Sequence, residues 1–111
     1  MKTSHIVNFG DSRDMSMLES ESVNLAVTSP PYPMIRMWDE IMSNQSHKVK
    51  KFLSEENGSE AFEEMHKELD KVWAECFRVL KKGSFLCVNI GDASRTIGGK
   101  FQLFSNHSRI K

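Results

Sequence analysis

The sequence carries no net charge: 15 Lys and Arg balance 15 Asp and Glu across 111 residues. A polyanion is normally gripped through several Lys or Arg contacts to phosphate, so this balance argues against such grip by the chain alone. Lys48, Lys50 and Lys51 form the one basic cluster, which reads as a solvated loop or helix end. No apolar run approaches the roughly 20 residues of a bilayer span, and no signal peptide opens the chain. Repeats and low-complexity segments are absent. There are only two cysteines, Cys76 and Cys87, without metal-ligand spacing. They read as buried free thiols, one on the inner face of a helix and one in a strand, which fits a reducing cytoplasm. No Gly-x-Ser-x-Gly elbow is present, so no serine is set up as a triad nucleophile. Hydrophobic content of 39% is a little low for a well-filled core, although two Trp and seven Phe help. The length allows one domain at most.

What is present concentrates at Thr28-Ser29-Pro30-Pro31-Tyr32. The run follows Val23-Asn24-Leu25-Ala26-Val27, which reads as a buried strand. The prolines fix φ and remove two donors, leaving carbonyls free to accept. The residue before each proline is held extended, so the strand cannot pass into a helix. A rigid shelf results, with acceptors on one side and a flat ring at its end, suited to a planar ring that bears an amine.

Around the shelf the order is α/β. His5 to Phe9 reads as a short first strand ending in Gly10-Asp11-Ser12, and Arg13 to Leu18 as a short helix. Residues 43–58 are polar, with a helix expected around Lys48 to Ser54 and a turn at Asn57-Gly58. From Ser59, apolar residues recur at three- and four-residue steps from Phe62 to Leu80. This predicts a long crossover helix capped by Ser59 and stopped at Lys81-Lys82-Gly83. Its polar face carries Glu64, Lys67, Glu68, Lys71, Glu75 and Arg78; His66 and Trp73 read as core or core-edge residues. The third strand follows the helix, with Cys87 in it and Asp92 after it, and the end from Asn106 reads as the start of a helix. Parallel strands with right-handed crossovers follow. Ligands bind beyond the carboxyl ends of such strands, which is where Asp11, Ser29 to Tyr32 and Asp92 fall.

The Ser29-Pro30-Pro31-Tyr32 run resembles the catalytic motif of the amino-methylating DNA methyltransferases, whose Pro-Pro loop receives a flipped-out base. The Ser version preceded by Thr is typical of enzymes acting on the N4 amine of cytosine, and the Asp version of those acting on adenine N6. Residues 5–12, Pro33 to Glu40, Arg78 to Asp92 and Asp92 to Gln102 resemble the same family's flanks, in the order of the subgroup that places this motif first. Lys82-Gly83-Ser84 stands where the family commonly has Pro-Gly-Gly. The resemblance implies an incomplete Rossmann-like methyltransferase fold, mostly parallel, with a crossover helix. It implies S-adenosyl-L-methionine as cofactor and DNA as the substrate of the full-length enzyme. A partner restriction endonuclease and a cytoplasmic prokaryotic or phage setting are implied as well.

The cytosine amine is a poor nucleophile, because its lone pair is delocalised into the ring. The Ser29 hydroxyl and the Pro30 carbonyl are expected to accept from that amine, with Pro31 holding the shelf and Tyr32 stacking on the base. Such stacking contributes roughly 1–3 kcal/mol. Alignment supplies much of the acceleration, with effective molarities on the order of 10⁵ M or more. Asp11 is expected near the adenine of the cofactor or, alternatively, as an Asx-type cap; Asp92 has the same two readings. Trp38 and Arg36 either line the base pocket or fold the loop back, and His107 and Arg109 receive no role.

The family's Phe-x-Gly-x-Gly cofactor loop is absent, and Gly98-Gly99 does not replace it. The target-recognition region is absent too. Residues 1–111 therefore read as the N-terminal, catalytic-loop part of a methyltransferase, inactive alone. Two alternatives stay open: an adenine-N6 enzyme, or a non-catalytic remnant that acts as an interaction module, oligomerising over its unfinished sheet edge.

Overall fold

The computed structural model describes residues 2–111. Strand β1, Val23–Thr28, pairs in parallel with β2, Leu80–Val88. Between them lie a 3₁₀ turn at Arg36–Trp38, then α1 (Asp39–Gln45), α2 (His47–Ser54) and α3 (Gly58–Val79). An antiparallel hairpin follows, β3 (Ala93–Ile97) and β4 (Lys100–Phe104), and then α4 (Asn106–Ile110). The order is α/β, with α3 as the crossover.

The packed core sits among the three helices and the hairpin. Met34, Met42, Val49, Ala61, Met65, Leu69, Ala93 and Phe104 are buried there. Phe62 lies edge-on to His66, with ring centroids 4.6 Å apart, and also touches Phe104. A bidentate Arg95–Asp39 pair at 2.9 and 2.8 Å fastens β3 to α1. By contrast, one face of the parallel pair is uncovered. Leu25 opposes Phe85 and Val27 opposes Cys87 across the ladder, and all four are exposed.

Several expectations are corrected. His5 to Phe9 joins no ladder, and Ile6, Val7 and Phe9 are exposed. A strand needs a neighbour to satisfy its backbone groups, and this segment has none among the described residues. Arg13 to Leu18 forms consecutive turns instead of a helix, closed by Asp14 N to Asp11 O and Leu18 N to Met15 O. The cause is local: Asp11 Oδ1 accepts from Arg13 N and Asp14 Oδ1 from Ser16 N. Such side-chain bonds compete with helical ones. The long helix is capped by Asn57 and not by Ser59, with Asn57 Oδ1 accepting from Glu60 N at 3.2 Å. It ends at Val79, and Lys81-Lys82-Gly83 lies within β2. Gly83, at φ 76°, sits where the ladder slips between Val23/Leu80 and Leu25/Phe85, so this glycine makes a bulge and not a stop. Cys76 is buried, but Cys87 is exposed; both thiols are free.

The hairpin is new relative to the sequence reading. Gly98 and Gly99, at φ 60° and 73°, form its two-residue turn. Two successive positive φ values are what such a turn requires.

Gly58 opens α3 where the hairpin crosses it. A Cβ there would lie 2.6 Å from Ile97 Cγ2 and 3.1 Å from Phe104. Alanine would favour the helix by up to about 1 kcal/mol, but overpacking costs about 1–3 kcal/mol. Gly58→Ala is therefore expected to lower the urea unfolding midpoint; a raised midpoint would show that the hairpin yields freely.

Candidate active site

Strand β1 delivers the loop at its carboxyl end. Asn89 N donates to Thr28 O at 2.9 Å, the last bond that holds the strand to the passage beyond β2. Prolines then prevent further pairing. Ser29 is exposed, Pro30 is buried, and Pro31 and Tyr32 are half-buried. The loop's backbone bonds use the carbonyls of Thr28 and Tyr32 and not that of Pro30.

Ser29, Pro30 and Pro31 line a cavity of about 200 Å³ together with Asp11, Arg13 and Glu68. Leu69 and Val72 of α3 form its apolar wall. Asp11 and the proline loop, well separated in sequence, thus meet at one site. Tyr32 does not line this cavity; its ring packs against Gly91, 3.5 Å from the point where a Cβ would stand there.

Asp11 makes a local Asx-type turn through its bond from Arg13 N, with no helix after it to cap, and it also lines the cavity. Arg13 Nε and Nη2 also donate to it, while Nη1 reaches Glu68 at 2.7 Å. These bonds from Arg13 hold the Asp11 carboxyl below the usual carboxylate range. Glu68 was expected only on the polar face of the long helix, with no partner there. That face is the seat of residues 11–22. Met15 N donates to Glu75, and Arg78 donates to the carbonyls of Leu18 and Met15. The signal was available as alternating charge on α3, but nothing local indicates what docks there.

Trp38 packs against the core from the 3₁₀ turn, so it folds the loop back and does not line the cavity. Arg36 opens onto a separate groove beside Arg95 and Glu56. Asp92 faces α4: it accepts from His107 N and contacts His107 Nδ1, both at 3.0 Å. These bonds keep its carboxyl low and tie it to the first turn of α4, 15 residues on, which is not the local Asx-type cap expected. Arg109, unassigned from sequence, pairs with Glu63 and Asp70 on α3.

Asn106 was missed entirely. It is fully buried, and its Nδ2 donates to Pro33 O at 3.1 Å and Gly91 O at 2.9 Å. Its Oδ1 lies 2.8 Å from His66 Nε2. The amide joins the loop, the passage after β2 and α3 at one point.

With this geometry in place, the relatives are informative. A family model of N6/N4-type DNA methylases, described as DNA methylase, matches residues 23–109. The type II methyltransferase M.MthZI of Methanothermobacter thermautotrophicus is 49% identical over 110 residues, covering 98% of this chain and 31% of the relative. M.MjaI of Methanocaldococcus jannaschii, also a type II methyltransferase, is 46% identical over 119 residues, covering 97% of this chain and 39% of the relative. The crystal structure of TTHA0409 from Thermus thermophilus, assigned as a DNA modification methylase, superposes with a TM-score of 0.64 at 29% identity. It covers 91% of this chain and 35% of that one. The chain belongs to the N6/N4 DNA methylase family and carries part of the methyltransferase α/β fold. It spans about a third of the length of these relatives.

Burial lowers the affinity of His66 for a proton, against a smaller opposing effect of the bond to Asn106. Arg109 opposes protonation as well, while Asp70 and Glu63 favour it. The unfolded chain binds a proton near pH 6.5, and the folded chain only at lower pH. Stability is therefore expected to fall as pH drops below about 6.5. Urea unfolding of His66→Gln across pH 7.5 to 5 should show a flatter profile than wild type. An unchanged slope would remove His66 from the pH response.

Proposed function

We propose that this chain is the base-receiving part of an S-adenosylmethionine-dependent DNA methyltransferase that acts on the exocyclic N4 amine of cytosine. The observation that carries the reading is the shared cavity of Ser29, Pro30, Pro31 and Asp11 at the carboxyl end of a parallel strand. Ser29 is exposed, and its hydroxyl accepts from the amine together with the Pro30 carbonyl. Drawing those protons toward acceptors returns electron density to nitrogen and aims its lone pair outward. Pro31 keeps both acceptors in place, and Tyr32 stacks on the extruded base. Neither cysteine lines the cavity, in keeping with a mechanism that needs no covalent ring adduct.

The bound cofactor supplies an electrophilic methyl group on a sulfonium. Small-molecule sites commonly measure about 300–1,000 Å³. A cavity of about 200 Å³ fits one end of such a molecule, with Asp11 at the adenosine side. The 111 residues alone are therefore read as inactive, as the N-terminal catalytic-loop part of a longer enzyme. The type II designation of both relatives supports a restriction-modification setting, with DNA as substrate and a paired endonuclease. A second reading, an interaction module that self-associates, draws on the uncovered face of Leu25, Val27 and Phe85.

Calorimetric titration of the isolated chain with S-adenosylmethionine is expected to show no micromolar binding; such binding would overturn the incomplete site. Activity is testable by replacing the matching segment of the 49% identical relative with residues 1–111. Mass analysis of nucleosides from DNA treated with this chimera should give N4-methylcytosine, and N6-methyladenine would sink the cytosine reading. In the chimera, Ser29→Ala should lower kcat on the order of 100-fold with little change in cofactor affinity. Unchanged turnover would remove Ser29 from the mechanism.

A further inference from the structure

We propose that Asn106 is a positioning residue for the proline loop, with His66 fixing which way its amide points. The inference rests on the functional reading of that loop, but its test reads loop geometry alone. Tyr32-Pro33-Met34-Ile35 is a tight turn closed by Ile35 N to Tyr32 O at 3.1 Å. Proline at its second position and φ 69° at Met34 define a type II turn. Glycine or asparagine normally takes the position of Met34, because an ordinary side chain is strained at positive φ. Types I and II differ by a flip of the central peptide, the one that carries Pro33 O. Asn106 Nδ2 binds that oxygen and Gly91 O together. It thereby locks the central peptide in the flipped state and ties the loop to the passage after β2. Tyr32 lies one residue before this lock and packs beside Gly91.

His66 decides the amide's orientation. Its Nδ1 is buried with no partner among the described residues, so a proton there would be orphaned. The proton therefore belongs on Nε2, which donates to Asn106 Oδ1. A rotated amide would set its N–H groups against the Nε2 proton and its oxygen against two carbonyls. Hydrogen-bond direction thus passes from α3 through Asn106 to the loop.

Tyr32 is the only tyrosine, so 3-fluorotyrosine labelling gives one ¹⁹F reporter on the loop. Asn106→Leu keeps the size and removes both donors. It is expected to move the Tyr32 resonance by more than its line width while the helical circular dichroism persists. His66→Gln retains a donor and should leave the resonance in place, whereas His66→Leu should move it. A folded Asn106→Leu chain with an unmoved resonance would overturn the proposal. If that variant does not fold, amide exchange in the wild-type chain decides. The Asn106 side-chain protons should exchange more slowly than those of exposed Asn8 and Asn44; equal rates would overturn the lock.

Discussion

A buried asparagine amide whose partners lie on three separate parts of the chain is the constraint on which the site depends. Asn106 has two donors and one acceptor in use: the donors meet Pro33 and Gly91, and the acceptor meets His66. Leaving any of these groups unpaired away from water costs about 1–3 kcal/mol. The three segments therefore settle together or not at all. Prolines make the loop stiff, but stiffness does not say where it points. Its direction is set from behind, by an amide 73 residues further along the chain than Pro33.

A second tether works from the other side. Arg13 and Arg78 strap residues 11–22 onto α3, and Asp11 thereby meets the loop that β1 delivers. Individual exposed ion pairs contribute little. This set is different in kind, because Arg78 satisfies the carbonyls of Met15 and Leu18 in a segment with no ladder of its own. The site is thus built by two polar fastenings on one helix, around an apolar core that lies mainly on the hairpin side of that helix.

Much of this was legible in the sequence because it is local. The Pro-Pro loop, the strand before it and the long helix depend on residues close in the chain, and each lies where expected in sequence. The strand is not the buried one expected, since Leu25 and Val27 are exposed, and Phe77 of α3 is exposed as well. The errors also have physical causes. His5 to Phe9 has strand composition but pairs with no strand among the described residues. Asp11 and Asp14 spend their side chains on the backbone and break a helix that Met15 and Leu18 suggested. Gly83 looks like a helix stop and instead bulges a strand, since a positive φ serves either purpose. Trp38 is an aromatic near the loop, and only packing sends it to the core.

The sequence by itself determined the family, the α/β order and the stiffness of the proline loop, because residue types and backbone restrictions fix these over short range. Tertiary structure alone decided that Asp11 shares the loop's cavity, that Glu68 faces it, and that Asn106 and His66 hold it. Those relations join residues about 40 to 75 positions apart, apart from Asp11 and Ser29, and no local propensity encodes them. They arise because buried polar groups must find partners wherever folding brings them, and the partners are known only once the chain has closed.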